Sequence, residues 1–196
     1  MIAIVDYDTG NLCSVCNALA RIGVEYVVTD SAEIIKNADK VLLPGVGEAS
    51  SAMEKLRERG LCDVIKGLTQ PVLGICIGMQ LMCRRSEEGN TDCLGIFDTE
   101  VKRFAADKKA GVKVPHMGWN EIRNLSTPLL SGLREGEFLY FVHSFAPDIC
   151  DGTIAVSANG RSFAAAINKD NFYGAQFHPE KSGAVGEQLL KNFVEL

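Results

Sequence analysis

The chain of 196 residues carries 20 basic and 25 acidic side chains, so its formal net charge at pH 7 is −5. Hydrophobic residues make up 46% and charged residues 23%, fractions typical of a globular domain with a full apolar core. This weakly acidic balance disfavours nucleic-acid binding through phosphate contacts. The longest uncharged stretch is interrupted by proline, glycine and glutamine, which excludes a plain membrane-spanning helix. Neither nucleic acid nor a membrane is therefore an expected partner.

The first residues and the cysteines together predict a cytoplasmic protein. The segment MIAIVDYD has neither a basic start nor a small-residue cleavage site, so the sequence predicts no secretory signal. In the cytoplasm, the seven cysteines are expected to be mostly reduced thiols rather than a disulfide framework.

Strands alternate with helices over the first half of the chain. The strands are short apolar runs, and the helices show apolar residues at helical spacing; Ser31 is the expected N-cap of one helix, with Glu33 in its first turn. This alternation indicates right-handed βαβ crossovers and a mainly parallel sheet. The predicted strands span residues 1–7, 24–30, 40–43 and 71–76, and the predicted helices span residues 11–22, 31–39, 53–60, 62–68 and 77–88.

The second half changes to closely spaced strands followed by one amphipathic helix at residues 184–196. There is no internal repeat, low-complexity tract or long linker. The sequence therefore predicts one α/β domain over residues 1–196, with a mainly parallel central sheet and an added antiparallel region. The predicted strands of this half span residues 97–104, 137–145, 153–158, 162–167 and 172–177.

The sharpest local feature is the run Gly74-Ile75-Cys76-Ile77-Gly78, placed where a buried strand should turn into a helix. A nucleophile at such a turn needs a strained backbone, and small flanking residues let the neighbouring chain pass close to it. The positive end of the following helix favours a thiolate. The pattern indicates a nucleophilic Cys76; the alternative is a buried and unreactive cysteine.

A cysteine nucleophile needs a base, and His178 is the best placed of the three histidines. Pro179 favours extended backbone at His178, and residues two apart in an extended segment share a face, so Glu180 can lie beside the imidazole. A carboxylate on one ring nitrogen leaves the other nitrogen for the thiol. A surface His-Pro-Glu turn stays open as the alternative. His116 and His143, each taken alone, are expected to be structural or interfacial.

Three further patterns have less specific interpretations. Glycines on both sides of Val46, in the LPGVG segment at residues 43–47, would let a peptide N–H turn inward to hold an oxyanion, although for this segment taken alone an ordinary glycine turn is the default interpretation. Cys13 and Cys16 form a C-x-x-C pair on a predicted helix, for which core packing is expected rather than zinc or redox chemistry. No metal site is predicted. The charged run at residues 84–88 is expected to be a solvated helix face, although its position after the turn at Cys76 could place one of its carboxylates near a substrate.

The segments LPGVG, GICIGMQ and FHPE stand in one chain order, and together they closely resemble the class I (triad) glutamine amidotransferases. The resemblance implies a flavodoxin-like three-layer fold and hydrolysis of the side-chain amide of glutamine through a glutamyl thioester, with no cofactor. It implies that Cys76 attacks the amide carbon, that His178 transfers protons, and that Glu180 orients His178.

The same resemblance implies an oxyanion site and a set of substrate contacts. The oxyanion would be stabilised by backbone N–H groups around Val46 and Ile77, with Gly45 and Gly47 beside them. The implied substrate contacts are Gln80, Glu88 and the main chain near His143 and Ser144.

The segments VDYDTGNLCSV, PHMGWN and YFVHSF narrow the resemblance to the glutaminase subunits of imidazole glycerol phosphate synthase, which act in histidine biosynthesis. That family implies a heterodimer with a cyclase subunit, a (β/α)8 barrel that uses the ammonia to make imidazole glycerol phosphate and an aminoimidazole carboxamide ribotide. It also implies a partner interface at Trp119, Tyr140 and Lys181. One departure is Asp8, where glycine is expected; aspartate tolerates a left-handed backbone better than most residues.

Three other functions remain open at this stage. A glutaminase subunit for anthranilate or aminodeoxychorismate synthesis is close in chemistry, but PHMGWN argues against it. A redox-sensing flavodoxin-like protein would not need the HPE segment. A binding module without catalysis would not need all three members of the triad.

Overall fold

The computed structural model describes residues 1–8 and 12–196, so the predicted start of the first helix, at Asn11, lies outside the described residues. Short 3-10 turns lie at Glu88–Asn90, Pro128–Leu130 and Pro179–Lys181. The helices are α1 (Leu12–Arg21), α2 (Ala32–Asn37), α3 (Ala49–Glu58), α4 (Leu61–Lys66), α5 (Ile77–Met82) and α6 (Gly183–Glu195). The strands are β1 (Ile2–Val5), β2 (Tyr26–Thr29), β3 (Lys40–Leu43), β4 (Val72–Ile75), β5 (Cys83–Ser86), β6 (Thr91–Asp92), β7 (Phe97–Arg103), β8 (His116–Glu121), β9 (Phe138–His143), β10 (Phe145–Pro147), β11 (Thr153–Asn159), β12 (Arg161–Lys169) and β13 (Phe172–Ala175).

The central sheet has seven strands in the order β11-β12-β13-β4-β3-β1-β2. The five strands from β13 to β2 are parallel, and their order is that of the flavodoxin-like fold. The remaining two strands, β12 and β11, continue the sheet in antiparallel pairing. Both β1 and β4 are buried at every position, as expected for parallel strands that are covered on two faces. The predicted mainly parallel α/β sheet is therefore confirmed.

Helices cover both faces of this sheet, which makes three layers. The strand order reverses at β1, with β2 on one side and β3 on the other, so right-handed crossovers place α1 and α2 on opposite faces. The helix contacts agree with this: α1 and α6 both pack on the turn Pro179–Lys181, whereas α3 packs on α4 and α5.

The predicted antiparallel region is also confirmed, but two of its strands, β6 and β8, were not predicted. Strands β8 and β9 form a two-stranded ribbon in which Trp119 lies opposite Tyr140. A second sheet has the order β10-β7-β5-β6. Residues 116–121, which carry the HMGWN segment, were not assigned to any element from the sequence because glycine and a small number of β-formers hide the alternation.

The predicted helix at residues 77–88 is wrong in its second half. The helix α5 ends at Met82, and the chain continues as β5, which pairs in parallel with β7 and in antiparallel with β6. Cys83 and Ser86 are buried, whereas Arg84 projects outward and forms ion pairs with Asp98 and Glu100 of β7. Pairing with distant strands has overridden a locally helical pattern, so Arg84 and Arg85 of the charged run are exposed on a strand, and Glu87 and Glu88 follow at a 3-10 turn.

The predicted strand at residues 137–145 is two strands in different sheets. The first, β9, ends at His143 and belongs to the ribbon, and the second, β10, begins at Phe145 and pairs with Arg103 of β7. The break falls at Ser144, whose carbonyl accepts a hydrogen bond from the Phe104 backbone at 3.0 Å. A continuous apolar run does not reveal such a change of partner strand.

Several local predictions have clear outcomes. The Ser31 hydroxyl accepts a hydrogen bond from the backbone N–H of Ile34 at 3.5 Å, which confirms the N-cap. Asp8 has a left-handed φ of 66°, a backbone conformation that aspartate was expected to tolerate at this position. All seven cysteines are free thiols. Cys16 is half-buried but Cys13 is exposed, so core packing is the wrong expectation for Cys13, whose side chain points out from α1. None of the helices in the described ranges is long and apolar enough to cross a membrane.

Candidate active site

Cys76 lies at the turn between β4 and α5, with a φ of 54° and a ψ of −109°. Such angles are strained for a residue with a side chain and are typical of functional turns. The two flanking glycines are steric requirements: a Cβ on Gly78 would overlap the carbonyl oxygen of Leu43, and a Cβ on Gly74 would lie 2.7 Å from the carbonyl oxygen of Gly78. The spacing of glycine, cysteine and glycine therefore follows from close packing of β3, β4 and α5.

Cys76 is held by contacts with two segments of the second half of the chain, one at Val142 and one at Ala175 and Gln176. It is 4% exposed, and its backbone N–H donates to the carbonyl of Ala175 at 2.8 Å. The thiol faces the carbonyl oxygen of Val142 at 3.9 Å, and the side-chain amide of Gln176 lies 3.7 Å from the sulfur. Cys76 also lines a cleft.

His178 and Glu180 form the second half of the predicted triad. The Nδ1 atom of His178 lies 2.7 Å from Oε1 of Glu180, and the two side chains are 3% and 4% exposed. His178 itself has an extended backbone, as predicted, while Glu180 follows in the 3-10 turn. A surface His-Pro-Glu turn is excluded by this burial.

Hydrogen bonds to the ribbon hold the turn that carries both side chains. The His178 backbone N–H donates to the carbonyl of Tyr140 at 2.9 Å. The Ser182 hydroxyl donates to the carbonyl of His178 at 2.6 Å and accepts from the Tyr140 N–H at 2.9 Å. Strand β9 therefore fixes where the imidazole stands.

The environment of His178 favours its protonated form. Burial lowers the pKa of His178, but its interactions with Cys76 and Glu180 outweigh burial and raise the pKa above the usual value for histidine. The Nδ1 atom is occupied by the carboxylate of Glu180. The Nε2 atom has no hydrogen-bond partner among the described residues, and both His178 and Cys76 line the same cleft. An imidazole held in this way can exchange a proton with a group in the cleft through Nε2.

The cleft beside Cys76 has a volume of about 350 Å³, enough for a small polar molecule. A smaller pocket, which shares Val46 and His178 with the cleft, is also lined by Gly45, Glu180 and Lys181. Trp119 and Tyr140 lie on the ribbon, with their rings edge to face at 6.1 Å. The sequence-predicted residues that line the cleft with Cys76 and His178 are Val46, Gly47, Ile77, Gln80, Glu88, His143 and Ser144.

The turn after β3 stands against the first residue of α5. The Tyr7 hydroxyl donates to the carbonyl of Pro44 at 2.6 Å. A Cβ on Gly45 would overlap that hydroxyl and would lie 3.1 Å from the Cβ of Ile77, so only glycine fits there. Gly47 has a φ of 100°, a conformation that favours glycine. At the predicted oxyanion site, close contacts therefore require glycine at residue 45, and the backbone conformation favours glycine at residue 47.

Gln80 and Glu88 approach the cleft from two different elements. Gln80 projects from α5 and is 1% exposed; its Oε1 atom has no hydrogen-bond partner in the described part of the chain. Glu88 lies in a 3-10 turn, where its Oε2 atom accepts from the backbone N–H of Ala49 at 2.9 Å. Burial raises the pKa of Glu88 above its usual value. One buried acceptor and one carboxylate therefore face the same space.

His143 has a different role from His178, although both line the cleft. Its Nδ1 donates to the carbonyl of Phe145 at 2.8 Å, because a carbonyl can only accept. Its Nε2 must then accept from Nδ1 of His116 at 3.0 Å, and Nε2 of His116 accepts from the amide of Asn120 at 3.1 Å. Burial lowers the pKa of His143 to about 3, so the ring is neutral. The structural interpretation of His116 and His143 side chains fits this network.

Comparison with known proteins assigns the family. The family model for glutamine amidotransferase class-I matches residues 3–196. The chain belongs to that family. It is 57% identical over 195 residues to imidazole glycerol phosphate synthase subunit HisH of Bacteroides fragilis, covering 100% of this chain and 99% of that protein. It is 50% identical over 197 residues to the same subunit of Escherichia coli K12, with the same coverage. Both resemblances read from the sequence are thereby confirmed.

Solved structures share the fold of this amidotransferase chain at lower identity. A crystal structure of a glutamine amidotransferase superposes with a TM-score of 0.74 at 19% identity, covering 100% of this chain and 98% of that one. At that identity, the likeness concerns the fold alone. Among the described residues there is no group of three or more His, Cys, Asp or Glu side chains that could hold a metal ion.

Sequence reasoning missed one residue of this amidotransferase site that touches Cys76, namely Gln176. A signal was available. Gln176 stands two residues before His178 at the end of a strand, so both side chains are expected on one face. The carbonyl of Val142, which also faces the sulfur, carries no signal because every residue has a carbonyl.

Proposed function

We propose that this chain hydrolyses the side-chain amide of glutamine with Cys76, His178 and Glu180 as its catalytic triad. The observation that carries the proposal is the contact of 2.7 Å between His178 Nδ1 and Glu180 Oε1, which leaves Nε2 for the cleft that Cys76 lines. A thiol, an imidazole and an orienting carboxylate are the parts that acyl transfer from an amide requires. Membership of the class-I glutamine amidotransferase family supports glutamine as the substrate.

In the first half of the reaction, the Cys76 thiolate adds to the amide carbon of glutamine, and the protonated His178 stands ready as the acid. The tetrahedral intermediate collapses when Nε2 of His178 gives its proton to the departing nitrogen. The C–N bond breaks, ammonia leaves, and a glutamyl thioester remains on Cys76. The raised pKa of His178 favours the protonated imidazole that this step needs.

In the second half, a water molecule attacks the thioester carbon while Nε2 of His178 takes its proton. The C–S bond breaks, glutamate leaves, and Cys76 returns to the thiolate with His178 protonated. Glu180 keeps the Nδ1 atom of the imidazole hydrogen-bonded through both halves, so the other nitrogen always faces the cleft. The cycle consumes glutamine and water and yields glutamate and ammonia.

The remaining cleft residues are proposed to bind glutamine and its oxyanion. Backbone N–H groups at Val46 and Ile77 would stabilise the oxyanion, and Gly45 and Gly47 supply the backbone freedom. The carboxylate of Glu88 and the Gln80 oxygen, which has no hydrogen-bond partner among the described residues, suit a positively charged α-amino group. Main-chain groups at His143 and Ser144 complete the proposed contacts.

We further propose that the ammonia passes to a cyclase subunit of (β/α)8 barrel fold, which makes imidazole glycerol phosphate and an aminoimidazole carboxamide ribotide in histidine biosynthesis. The support is the full-length similarity to HisH subunits. One face of the β8–β9 ribbon is apolar and exposed: Met117, Trp119 and Phe138 are 63%, 55% and 54% exposed, with Tyr140 beside Trp119. Large exposed apolar patches mark protein interfaces.

Lys181 lies beside the catalytic residues and is a candidate contact for the partner subunit. It shares a small pocket with Gly45, Val46, His178 and Glu180, so a partner that contacts Lys181 would lie next to the oxyanion turn. We therefore expect the cyclase to raise the glutaminase rate. We place the complex in the cytoplasm, where free thiols such as those of this chain persist.

The test is glutamate release by the purified chain, measured alone and then with the cyclase and its nucleotide ligand. We expect release to rise when the cyclase is added, and to vanish in Cys76→Ala. The Cys76→Ala complex should still make product from an added ammonium salt, because only the source of ammonia is lost.

Cys83→Ala is the matched control, since Cys83 is fully buried at the start of β5 and outside the cleft. It should keep the wild-type rate. Glutamine-driven turnover near the wild-type rate in Cys76→Ala would refute the nucleophile. Equal rates with and without the cyclase would refute the coupling to a partner and leave the nucleophile untouched.

A further inference from the structure

A buried carboxamide outside the triad reaches the sulfur of Cys76. Gln176 is fully buried, and its Nε2 atom lies 3.7 Å from the Cys76 Sγ atom. The contact follows from strand register. In the parallel pair of β4 and β13, Ile75 lies opposite Ala175, so the next residues of the two strands leave the carboxyl edge of the sheet side by side. The Gln176 backbone is fixed as well, because its N–H donates to the carbonyl of Ala165 at 2.8 Å.

Hydrogen bonds determine which end of the Gln176 carboxamide faces the sulfur. The carbonyl of Phe145 can only accept, so the Gln80 atom 2.9 Å from it is the NH2 group. The second hydrogen of that NH2 group points to Gln176 at 2.9 Å, where it must meet the carbonyl oxygen. The opposite end of the Gln176 carboxamide, its NH2 group, therefore faces Cys76.

The hydrogen bond from His143 to the Phe145 carbonyl helps to hold the Gln176 carboxamide in this orientation. The carbonyl of Phe145 also accepts from Nδ1 of His143 at 2.8 Å, so both of its lone pairs are used. If the Gln80 carboxamide turned over, its oxygen would face the carbonyl oxygen of Phe145. If the Gln176 carboxamide alone turned over, two NH2 groups would face each other. Neither reversal keeps the network, so the donor at Cys76 is fixed.

We propose that Gln176 donates a hydrogen bond to the Cys76 thiolate and positions its sulfur for attack on the substrate. A donor within reach of a thiolate favours the charged nucleophile and restricts where the sulfur stands. The cleft is lined by other described residues, so Gln176 acts from behind the sulfur and not on the substrate. The proposal rests on Cys76 as the nucleophile of the proposed function, but it can be measured without glutamine.

The primary experiment compares the rate at which iodoacetamide alkylates Cys76 in the parent chain and in Gln176→Met. Methionine has a similar length and no donor. Both chains carry Cys83→Ala, so that Cys76 is the one thiol in the tryptic peptide of residues 67–84, whose mass reports the reaction. We expect Gln176→Met to slow alkylation at pH 7 about tenfold, the effect of one hydrogen bond to a charged group. Asn192→Leu, which removes another buried amide that donates to two backbone carbonyls, should leave the rate within about twofold of the parent.

The direction of the change separates the proposal from a loss of folding. Unfolding exposes Cys76 and would accelerate alkylation, whereas loss of the donor slows it. A rate in Gln176→Met equal to or above that of the parent overturns the proposal. In the glutaminase assay with the cyclase, kcat should fall about tenfold while KM for glutamine stays unchanged, because Gln176 does not touch the substrate and Gln80 keeps its hydrogen bond to the Phe145 carbonyl. A rise in KM with unchanged kcat would overturn the proposal as well. Slower alkylation in a chain that never hydrolyses glutamine would refute the proposed function and uphold the hydrogen bond.

Discussion

His178 and His143 line the same cleft, are both buried, and are both anchored to strand β9, yet their pKa values move in opposite directions. Burial lowers the pKa of His143 to about 3, and its neighbours, a backbone carbonyl and a second neutral imidazole, do not reverse this. Burial also lowers the pKa of His178, but Glu180 and Cys76 raise it by more.

The difference teaches that the partner of a buried imidazole decides its chemistry. A carboxylate on one nitrogen gives a group that can hold a proton and pass it on through the other nitrogen. A carbonyl on one nitrogen and a neutral imidazole on the other give a fixed tautomer that stays uncharged. One cleft thus contains two histidines with different roles. His178 is a proton carrier, and His143 is a rigid, uncharged spacer.

The largest effect on the glutaminase rate should come from changing His178, the proton carrier, and Glu180, which orients it, in separate variants. His178→Ala deletes the carrier and should lower glutaminase kcat roughly 10²–10⁴-fold or more. Glu180→Gln keeps a hydrogen-bonding group but loses the charge that orients the imidazole, so it should cost less. His143→Asn, the matched change in the spacer, keeps a donor for the Phe145 carbonyl and should cost less than either. Glutamate release with the cyclase present measures all three. If Glu180→Gln impaired the reaction more than His178→Ala, the two roles would have to be reversed.

An intermediate effect should appear in the pH dependence of stability. His143 has a folded pKa of about 3 against roughly 6.5 unfolded, so the unfolded chain binds the extra proton, and stability is lost as pH falls from 6.5 toward 3. His178 has a raised folded pKa, so its stabilisation is complete below about 6.5 and is lost as pH rises through the folded value.

Urea unfolding at pH 7 and pH 5 measures this difference. Between those two values, His143→Asn should lose roughly 2 kcal/mol less stability than the wild type, because it no longer takes up that proton on unfolding. His178→Asn should instead lose more stability than the wild type over the same interval. Equal losses in the wild type and His143→Asn would mean that His143 is not kept neutral by the fold.

The hydrogen-bond partner of His178 can be predicted from the sequence more readily than the partners of His143. Pro179 and Glu180 lie beside His178 in the chain, so local geometry predicts the carboxylate contact. The partners of His143 come from His116 in a strand that was not predicted and from a carbonyl two residues away. The same limit applies to β5, where pairing with distant β7 overrides a helical pattern, and to Gln176, whose contact with Cys76 depends on the register of two strands. Motifs that close within a few residues are predictable, and contacts created by strand pairing are not.

The smallest expected effect concerns the hydrogen bonds through which Ser182 links His178 to Tyr140 of β9. Ser182→Ala removes the hydroxyl that donates to the His178 carbonyl and accepts from the Tyr140 N–H. The cost should be about 1 kcal/mol of unfolding free energy, with a few-fold loss of kcat, since the bond from the His178 N–H to the Tyr140 carbonyl remains. Ser157→Ala is the matched control: it removes a buried hydroxyl that donates to the Glu121 carbonyl at 2.8 Å, away from the cleft. Both variants should lose similar stability in urea, and only Ser182→Ala should lose activity. A similar loss of activity in both would show that general stability, and not the anchoring of His178 to β9, limits the reaction.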